Sequence, residues 1–414
     1  MPPERSLGSW RGMGHSVDAP PDGFGGGKSG TGTARFPSSN ETAMTTTMRI
    51  LAAFAPFLLA AAPAMAQDGV LTPEPMIGIA APLSDSQEIL GRQVADGVAA
   101  ALASRNGAVK TSLADTSCSA EGGAAAARKF IAEKASVVVG FLCVEAIEAA
   151  LPILKDAGIP TIDVGVRANR LTDNKARTGF LVYRLAPHSE AEAAAVARYV
   201  AARWADQPFG LVDDGSIASR GLSDAVRRRL GDAGLQPQTV DNFRPAEEKQ
   251  FGLARRLERT GVTRFFIAGD RPDIAIIARD AKDVGLDLSI LGSEALFDEA
   301  STDAPLPAGI VAIGPKTSFP ELEPKDAAVD GAEADGGHLP PQGHFGTAYV
   351  AAEIAVAAIG DSRQADEPLG GVLSTKTFAT SLGPVKFDAK GDGDLDLFRV
   401  YEWRGDAFVD ETGG

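Results

Sequence analysis

Short apolar segments alternate with longer amphipathic ones along most of the chain. The short segments are MIGIAAPL, SVVVGFL, IPTIDVGV, FGLVD, TRFFIAG, LSILG and AGIVAIG. They are too short for helices and lack strict alternation, which is typical of parallel strands buried on both faces. Between them apolar residues recur at helical spacing, as in Val94, Val98, Ala101 and Leu102. This order of elements predicts an α/β fold with two doubly wound sheets.

The first 66 residues do not follow this pattern. Residues 1–43 are rich in Gly, Ser, Thr and Pro, which predicts a disordered leader or a start-site artefact. Residues 44–66 combine a basic start, an apolar run and the small residues Ala64 and Ala66, as a signal peptide does. We therefore expect cleavage after Ala66 and export to the periplasm. Removal of 66 residues from 414 leaves 348, enough for two lobes.

Composition narrows the classes of partner. The chain has 40 Lys and Arg residues against 55 Asp and Glu residues, a formal net charge of −15. An acidic chain of this kind is a poor ligand for nucleic acid or an anionic membrane, because both require a basic face. Cys118 and Cys143 are the only cysteines. In an exported protein they predict a disulfide worth about 3.5 kcal/mol, with two buried free thiols as the alternative.

Motifs for catalysis or metal binding are missing after residue 66. No GxSxG, GxGxxG or HExxH sequence occurs there, and the histidines lack metal-ligand spacing. His338 and His344 belong to an acidic segment, residues 315–344, that we interpret as a surface excursion with exposed histidines. The Asp- and Gly-rich turn at residues 388–396 favours a solvated hairpin turn over a weak calcium site. We expect no enzyme activity, no metal and no cofactor.

Several segments together resemble a known family. The order ADTSC, VVVGFLC, GIPTIDVG and, near the end, GPVKFD resembles the periplasmic binding proteins for branched-chain amino acids, which capture substrates for ABC importers. The resemblance runs from Ile77 to the C-terminal strands. It implies the type I fold, with two α/β lobes joined by three chain crossings, and a monomer. The expected first lobe is residues 67–186 and 315–382, and the second is residues 187–314 and 383–412.

The same resemblance implies ligand contacts in the first lobe. A family Ser that starts a helix and receives the ligand carboxylate is replaced here by Val144, which Glu145 follows. Free backbone N–H groups at this helix start could still hold an anion, although Glu145 would repel one or cap the helix. A family carbonyl that receives the ligand ammonium corresponds to Gly165, and a ligand-contacting Thr corresponds to Arg167.

In the second lobe, the family acid that pairs with the ligand ammonium corresponds to Glu294. Leu90, Ala218 and Asp270 replace the aromatic residues of the family pocket. The positions that contact the ligand ammonium in the family are thus retained, whereas those that contact the ligand carboxylate are changed. Arg167 either takes over the ligand carboxylate with a charged pair, or pairs with Glu145 or Asp270 and leaves a site for another solute. A changed ligand is the favoured interpretation.

The sequence therefore predicts an exported binding protein for a small polar solute, an amino acid or related amide. Closure of the two lobes around the ligand would present a new surface to an ABC permease in the membrane. One alternative is a periplasmic ligand sensor of the same fold that acts on a signalling protein or a secreted dehydrogenase system. An exported α/β enzyme is a weaker alternative.

Overall fold

A computed structural model describes residues 74–104, 109–298, 305–323 and 340–411. The leader, the signal peptide, its cleavage site after Ala66 and His338 lie outside the described residues. Within the described part of the chain, no helix combines the length and the apolar character needed to cross a membrane.

The first sheet contains five parallel strands in the order β2-β1-β3-β4-β5. Its central strand β3 is buried at every position, as a continuous apolar run on a parallel sheet requires. The strands are β1 (Met76–Ala81), β2 (Lys110–Asp115), β3 (Val137–Gly140), β4 (Thr161–Asp163) and β5 (Val182–Arg184).

Helices cover both faces of this sheet. Val94 and Val98 of the first helix are fully buried, which confirms the predicted amphipathic spacing. The helices between these strands are α1 (Glu88–Ala103), α2 (Ala120–Ala132), α3 (Val144–Asp156), α4 (Arg170–Asp173) and α5 (Lys175–Thr178). Helix α2 packs on α3 over one face of the sheet.

The second sheet contains seven strands in the order β14-β13-β10-β9-β8-β6-β7. Five of them are parallel, while β13 runs antiparallel to β10 and β14 antiparallel to β13. The strands are β6 (Gly210–Asp213), β7 (Thr239–Asn242), β8 (Arg264–Ala268), β9 (Ser289–Gly292), β10 (Val311–Pro315), β13 (Phe398–Trp403) and β14 (Phe408–Asp410). Its helices are α6 (Ser189–Arg203), α7 (Ile217–Asp232), α8 (Phe251–Thr260) and α9 (Arg271–Asp283).

After β10 the chain returns to the first sheet. There it adds α10 (Phe345–Ala365), α11 (Leu369–Thr375) and the hairpin of β11 (Thr377–Thr380) and β12 (Gly383–Lys386). Helix α10 packs along α1 and over the apolar face of β3 and β4. We call the first sheet with its helices and this hairpin the first lobe, and the second sheet with its helices the second lobe.

The chain passes between the lobes after β5, after β10 and after β12, so the two α/β lobes form the type I periplasmic-binding-protein fold that the sequence predicts. Phe319 and Leu322, within the expected surface excursion, are instead buried in the core of the first lobe. Val385 and Phe387 pack in that same core, although the expected boundary follows residue 382. The lobe boundaries as such stay a prediction.

Candidate functional site

A cavity of about 920 Å³ lies at the carboxyl ends of the strands of the second lobe. Open α/β sheets bind ligands at this edge, because the loops that follow the strands converge there. The loops after β6, β8, β9 and β10 form most of the cavity wall, and Arg167 reaches it from the first lobe. Of the residues predicted to contact ligand, Arg167, Ala218, Asp270 and Glu294 line this cavity.

Arg167 and Glu294 form an ion pair between the lobes. Arg167 follows β4 of the first lobe, and Glu294 follows β9 of the second. The Arg167 Nη1 group donates to both carboxylate oxygens of Glu294, at 2.6 and 2.8 Å. The structure therefore pairs Arg167 with Glu294 rather than with Glu145 or Asp270.

Glu192 lies beneath this pair and was not identified from the sequence. Its side chain is buried at 3% exposure, and its Oε1 accepts the backbone N–H of Glu294 at 3.1 Å. Burial is the main cause that raises the pKa of Glu192 to about 7, and the nearby Glu294 carboxylate adds to it. Helical periodicity is the sequence pattern that indicates its burial, because Glu192, Val196 and Val200 share the buried face of α6.

A buried arginine fixes the backbone that carries Arg167. Arg184 is 2% exposed, and its Nη1 donates to the Arg167 carbonyl at 3.1 Å. Its Nε donates to Asp392 in the third crossing at 2.7 Å. The Asp392 carboxylate also accepts from the Thr172 hydroxyl at 3.2 Å. The position of Arg167 thus depends on a segment more than 200 residues later in the chain.

Asp163 shapes the turn just before Arg167. Its Oδ1 accepts the backbone N–H groups of Gly165 and Val166 at 3.2 and 2.9 Å. The carboxyl group is fully buried, and this burial raises its pKa to about 8. Two N–H donors and the nearby Arg184 act in the opposite direction and are outweighed. A buried side chain therefore sets the path of residues 164–167.

The second lobe contributes further carboxylates to the cavity wall. Asp214, Asp270 and Asp298 all line it, and Asp270 is exposed at the N-cap of α9. The Asp214 Oδ1 accepts the backbone N–H of Ser216 at 2.8 Å. Next to them, burial raises the pKa of Asp273, with Asp270 and Asp214 as additional causes. This part of the cleft thus holds a concentrated negative charge.

Aromatic rings form another part of the wall. Phe297, Tyr401 and Phe408 line the cavity, and Phe297 is 39% exposed. The Phe297 ring centre is 5.0 Å from that of Tyr401 and 4.6 Å from that of Phe408. These residues come from a 3-10 turn, β13 and β14, so no single sequence motif contains them. They supply apolar surface that we did not predict.

The other predicted contacts lie outside the lining of this cavity. Leu90 is on α1, Val144 and Glu145 start α3, and Gly165 follows β4. A β-carbon on Gly165 would stand 2.3 Å from Leu142 Cδ2 and 3.1 Å from His344 Cε1, so the position is closely packed. His344 is half-buried, contrary to the expected exposure, because it leads into α10 beside Gly165.

The predicted disulfide is present. Cys118 follows β2 and Cys143 is the N-cap of α3, with their Cα atoms 5.2 Å apart. The bond ties together two loops at the carboxyl edge of the first sheet. Ser117, Cys118 and Phe141 there have φ values of 44°, 44° and 64°, in a left-handed region that non-glycine residues rarely occupy.

The Asp-rich turn after β12 is packed against the first lobe. The backbone N–H of Arg184 donates to Gly391 at 2.7 Å, and that of Gly393 donates to Arg184 at 2.9 Å. Asp392 pairs with Arg184, and Lys390 Nζ with Asp173 at 2.7 Å. The turn is therefore a docked segment rather than a freely solvated hairpin. Over the residues that the structure describes, no cluster of three or more His, Cys, Asp or Glu side chains is arranged to hold a metal ion.

Comparisons with known proteins support the family resemblance seen in the sequence. The family profile described as periplasmic binding protein matches residues 75–404. The leucine-, isoleucine-, valine-, threonine-, and alanine-binding protein of Pseudomonas aeruginosa is 26% identical over 299 residues, 71% of this chain and 78% of that protein. Leu/Ile/Val-binding protein homolog 2 of Brucella abortus is 24% identical over 353 residues, 82% and 93% of the two chains.

Among solved structures, the ABC transporter substrate-binding protein of Desulfitobacterium hafniense in complex with Leu is similar, with a TM-score of 0.58. The two sequences are 19% identical, and the match covers 82% of this chain and all of the other. At this identity the comparison shows a shared fold.

Proposed function

Since this chain belongs to the periplasmic binding protein family, we propose that it is exported, captures a small polar solute between its two lobes and delivers it to an ABC importer. The Pseudomonas aeruginosa relative is described as a binding protein for leucine, isoleucine, valine, threonine and alanine, and the Brucella abortus relative as a Leu/Ile/Val-binding protein homolog. An amino acid or a related amide is therefore the first class of ligand to consider. Export rests on the signal peptide at residues 44–66, with cleavage after Ala66.

The observation that carries this proposal is the cavity at the carboxyl edge of the second lobe, which a residue of the first lobe completes. A site that needs side chains from both lobes couples binding to their relative position. Closure around a solute would then change the surface that the lobes present together, which is how a binding protein signals its loaded state to a membrane partner. Capture and release of a solute require no covalent step from the described residues.

The resemblance implies a set of contacts that would hold a branched-chain amino acid. This pocket does not provide all of them. Glu294, the expected acceptor of the ligand ammonium, is already paired with Arg167. Ala218 and Asp270 stand where that family has aromatic residues, and both line the cavity. We therefore propose a ligand other than leucine, isoleucine or valine.

A thermal-shift screen of the chain from residue 67 tests the proposal. Amino acids, amides, small organic acids and polyamines are added singly to the protein. A ligand present at 100 times its dissociation constant should raise the free energy of unfolding by about 2.7 kcal/mol. We expect the largest shift from a compound outside the branched-chain amino acids.

Two variants sharpen this screen. Arg167→Ala should change the affinity for the identified solute, because Arg167 lines the cavity. Arg170→Ala should leave the affinity unchanged, because Arg170 is exposed and pairs with Glu148 within the first lobe. The largest shift from leucine, isoleucine or valine would contradict the altered pocket. Absence of a shift with every compound would contradict solute capture.

A further inference from the structure

The charges around the cavity are strongly unbalanced. Among the residues that the structure describes, five carboxylates and one guanidinium line it. The carboxylates belong to Glu192, Asp214, Asp270, Glu294 and Asp298, and the guanidinium to Arg167. Even with Glu192 protonated because of its raised pKa, four negative charges face one positive charge.

Arg167, the one cation in the described part of the wall, is already engaged. Arg167 contacts both oxygens of Glu294, so its charge and Glu294 compensate one another. Asp214, Asp270 and Asp298 have no ion-pair partner among the described residues. The Arg271 guanidinium carbon is 4.5 Å from the Trp403 ring centre, and Arg271 Nη1 donates to the Asp298 carbonyl. Arg271 does not belong to the lining of the cavity.

The aromatic part of the wall adds a second preference. Ring faces carry negative potential and attract cations. Phe297, Tyr401 and Phe408 also offer apolar contact to the body of a ligand. A cavity of about 920 Å³ is large enough for a single-ring or branched aliphatic molecule with its water shell.

We propose that the solute captured in this cleft is a small organic cation, an amine with an apolar body and a net positive charge. This inference rests on the proposed function, because it names the chemical class of the solute bound there. The ammonium group would lie among Asp214, Asp270 and Asp298, and the apolar body against Phe297 and its neighbouring rings. A zwitterion is less well suited, because its carboxylate would meet the same negative wall while Arg167 is engaged with Glu294.

The test uses ligands that share an apolar side chain and differ in charge. With the leucine side chain these are isoamylamine, leucine and 4-methylpentanoate, and with the phenylalanine side chain phenethylamine, phenylalanine and 3-phenylpropionate. Isothermal titration calorimetry gives the affinity of the chain from residue 67 for each. We expect the amine of each set to bind about tenfold more tightly than its zwitterion, and the anion to bind most weakly.

Salt and a matched pair of variants check that charge is the cause. Raising the salt concentration from about 0.05 M to about 0.5 M should weaken amine binding severalfold, because the carboxylates are partly exposed to solvent. Asp270→Asn should weaken it about fivefold. Asp283→Asn makes the same change at the exposed far end of α9, away from the cavity, and should leave affinity unchanged.

The outcomes separate the two proposals. Tighter binding of leucine, phenylalanine or either anion overturns the cation inference and leaves solute capture intact. An equal effect of the Asp270 and Asp283 variants overturns it as well. If none of the compounds binds, the cation inference is wrong, and solute capture is then decided by the broader thermal-shift screen.

Discussion

At the scale of single residues, Glu192 occupies a position where an ionised side chain is costly. It shares the buried face of α6 with Val196 and Val200, and the carboxylate of Glu294 is nearby. Its ordinary pKa of 4.5 is raised to about 7, so between these values the folded state keeps a proton that the unfolded state has released. The contribution to stability is therefore full below about pH 4.5 and is lost as the pH rises through 7.

We predict that Glu192→Gln removes this part of the pH dependence. Between pH 5 and pH 8 the wild-type chain should lose on the order of 2–3 kcal/mol more unfolding free energy than the variant. Urea unfolding at the two pH values measures the difference. Asp163 also has a raised pKa, but it titrates in both proteins and cancels in the comparison.

Glu190→Gln is the control, because Glu190 is on the same helix and pairs with Arg228 and Arg229 at its surface. It should retain the wild-type pH dependence. Equal pH dependence in the wild type and in Glu192→Gln would show that this carboxyl group does not titrate as described.

Residue positions were more predictable than residue partners. Arg167 and Glu294 were both expected at the site from the family resemblance, and both line the cavity. Their mutual pairing joins residues 127 apart in the chain and depends on how two sheets meet, which local spacing does not encode. Glu192 lies outside every motif, so its role follows only from the packing of α6.

At the scale of secondary structure, apolar runs identified most of the buried strands. Strands β1, β3, β4, β6, β8, β9 and β10 all coincide with predicted apolar runs. The runs did not include β2, β5 or β7, which lie at the edges of their sheets. Residues in β2 and β7 alternate in exposure and carry polar side chains, since one face of an edge strand meets solvent. Strand β5 is buried at all three positions, but it contains Tyr183 and Arg184 and therefore forms no apolar run.

The disulfide acts at this scale, because it ties the loop after β2 to the start of α3. We predict that the double variant Cys118→Ala, Cys143→Ala loses up to about 3.5 kcal/mol of unfolding free energy, from the larger entropy of its unfolded chain. Urea unfolding measures this loss. A thiol reductant should lower the stability of the wild type and leave the double variant unchanged. An equal effect of reductant on both proteins would contradict the prediction.

At the scale of the whole molecule, two sheets are held together by chain crossings and by side chains that meet between them. Arg184 joins the first lobe to the third crossing, and Arg167 joins the first lobe to Glu294 of the second. The side chains of Arg184 and Asp392 are only 2% and 15% exposed, whereas those of Arg167 and Glu294 are 36% and 32% exposed. The first therefore belongs to the permanent framework, and the second is weak enough to break when the lobes move apart.

We predict that Arg167→Ala separates the lobes without unfolding either of them. Small-angle X-ray scattering in buffer should show a larger radius of gyration than the wild type has. The free energy of unfolding should fall by less than about 1 kcal/mol, because the pair is partly exposed and screened.

Arg170→Ala is again the matched control, because it removes the same charge from a pair with Glu148 inside one lobe. Its radius of gyration should equal that of the wild type. Equal values for the Arg167 and Arg170 variants would show that the ion pair does not hold the lobes together.

The aromatic cluster of the second lobe also contains a tryptophan whose fluorescence can report ligand binding. Trp204 and Trp403 are the tryptophans of the described residues, and Trp10 precedes the predicted cleavage site. The ring centre of Trp403 is 5.0 Å from that of Phe408, which lines the cavity. Trp204 is buried beside Tyr199 in a different core cluster. With Trp204 replaced by Phe, indole fluorescence would come from directly behind the aromatic wall, so occupancy of the cleft could be followed without any label.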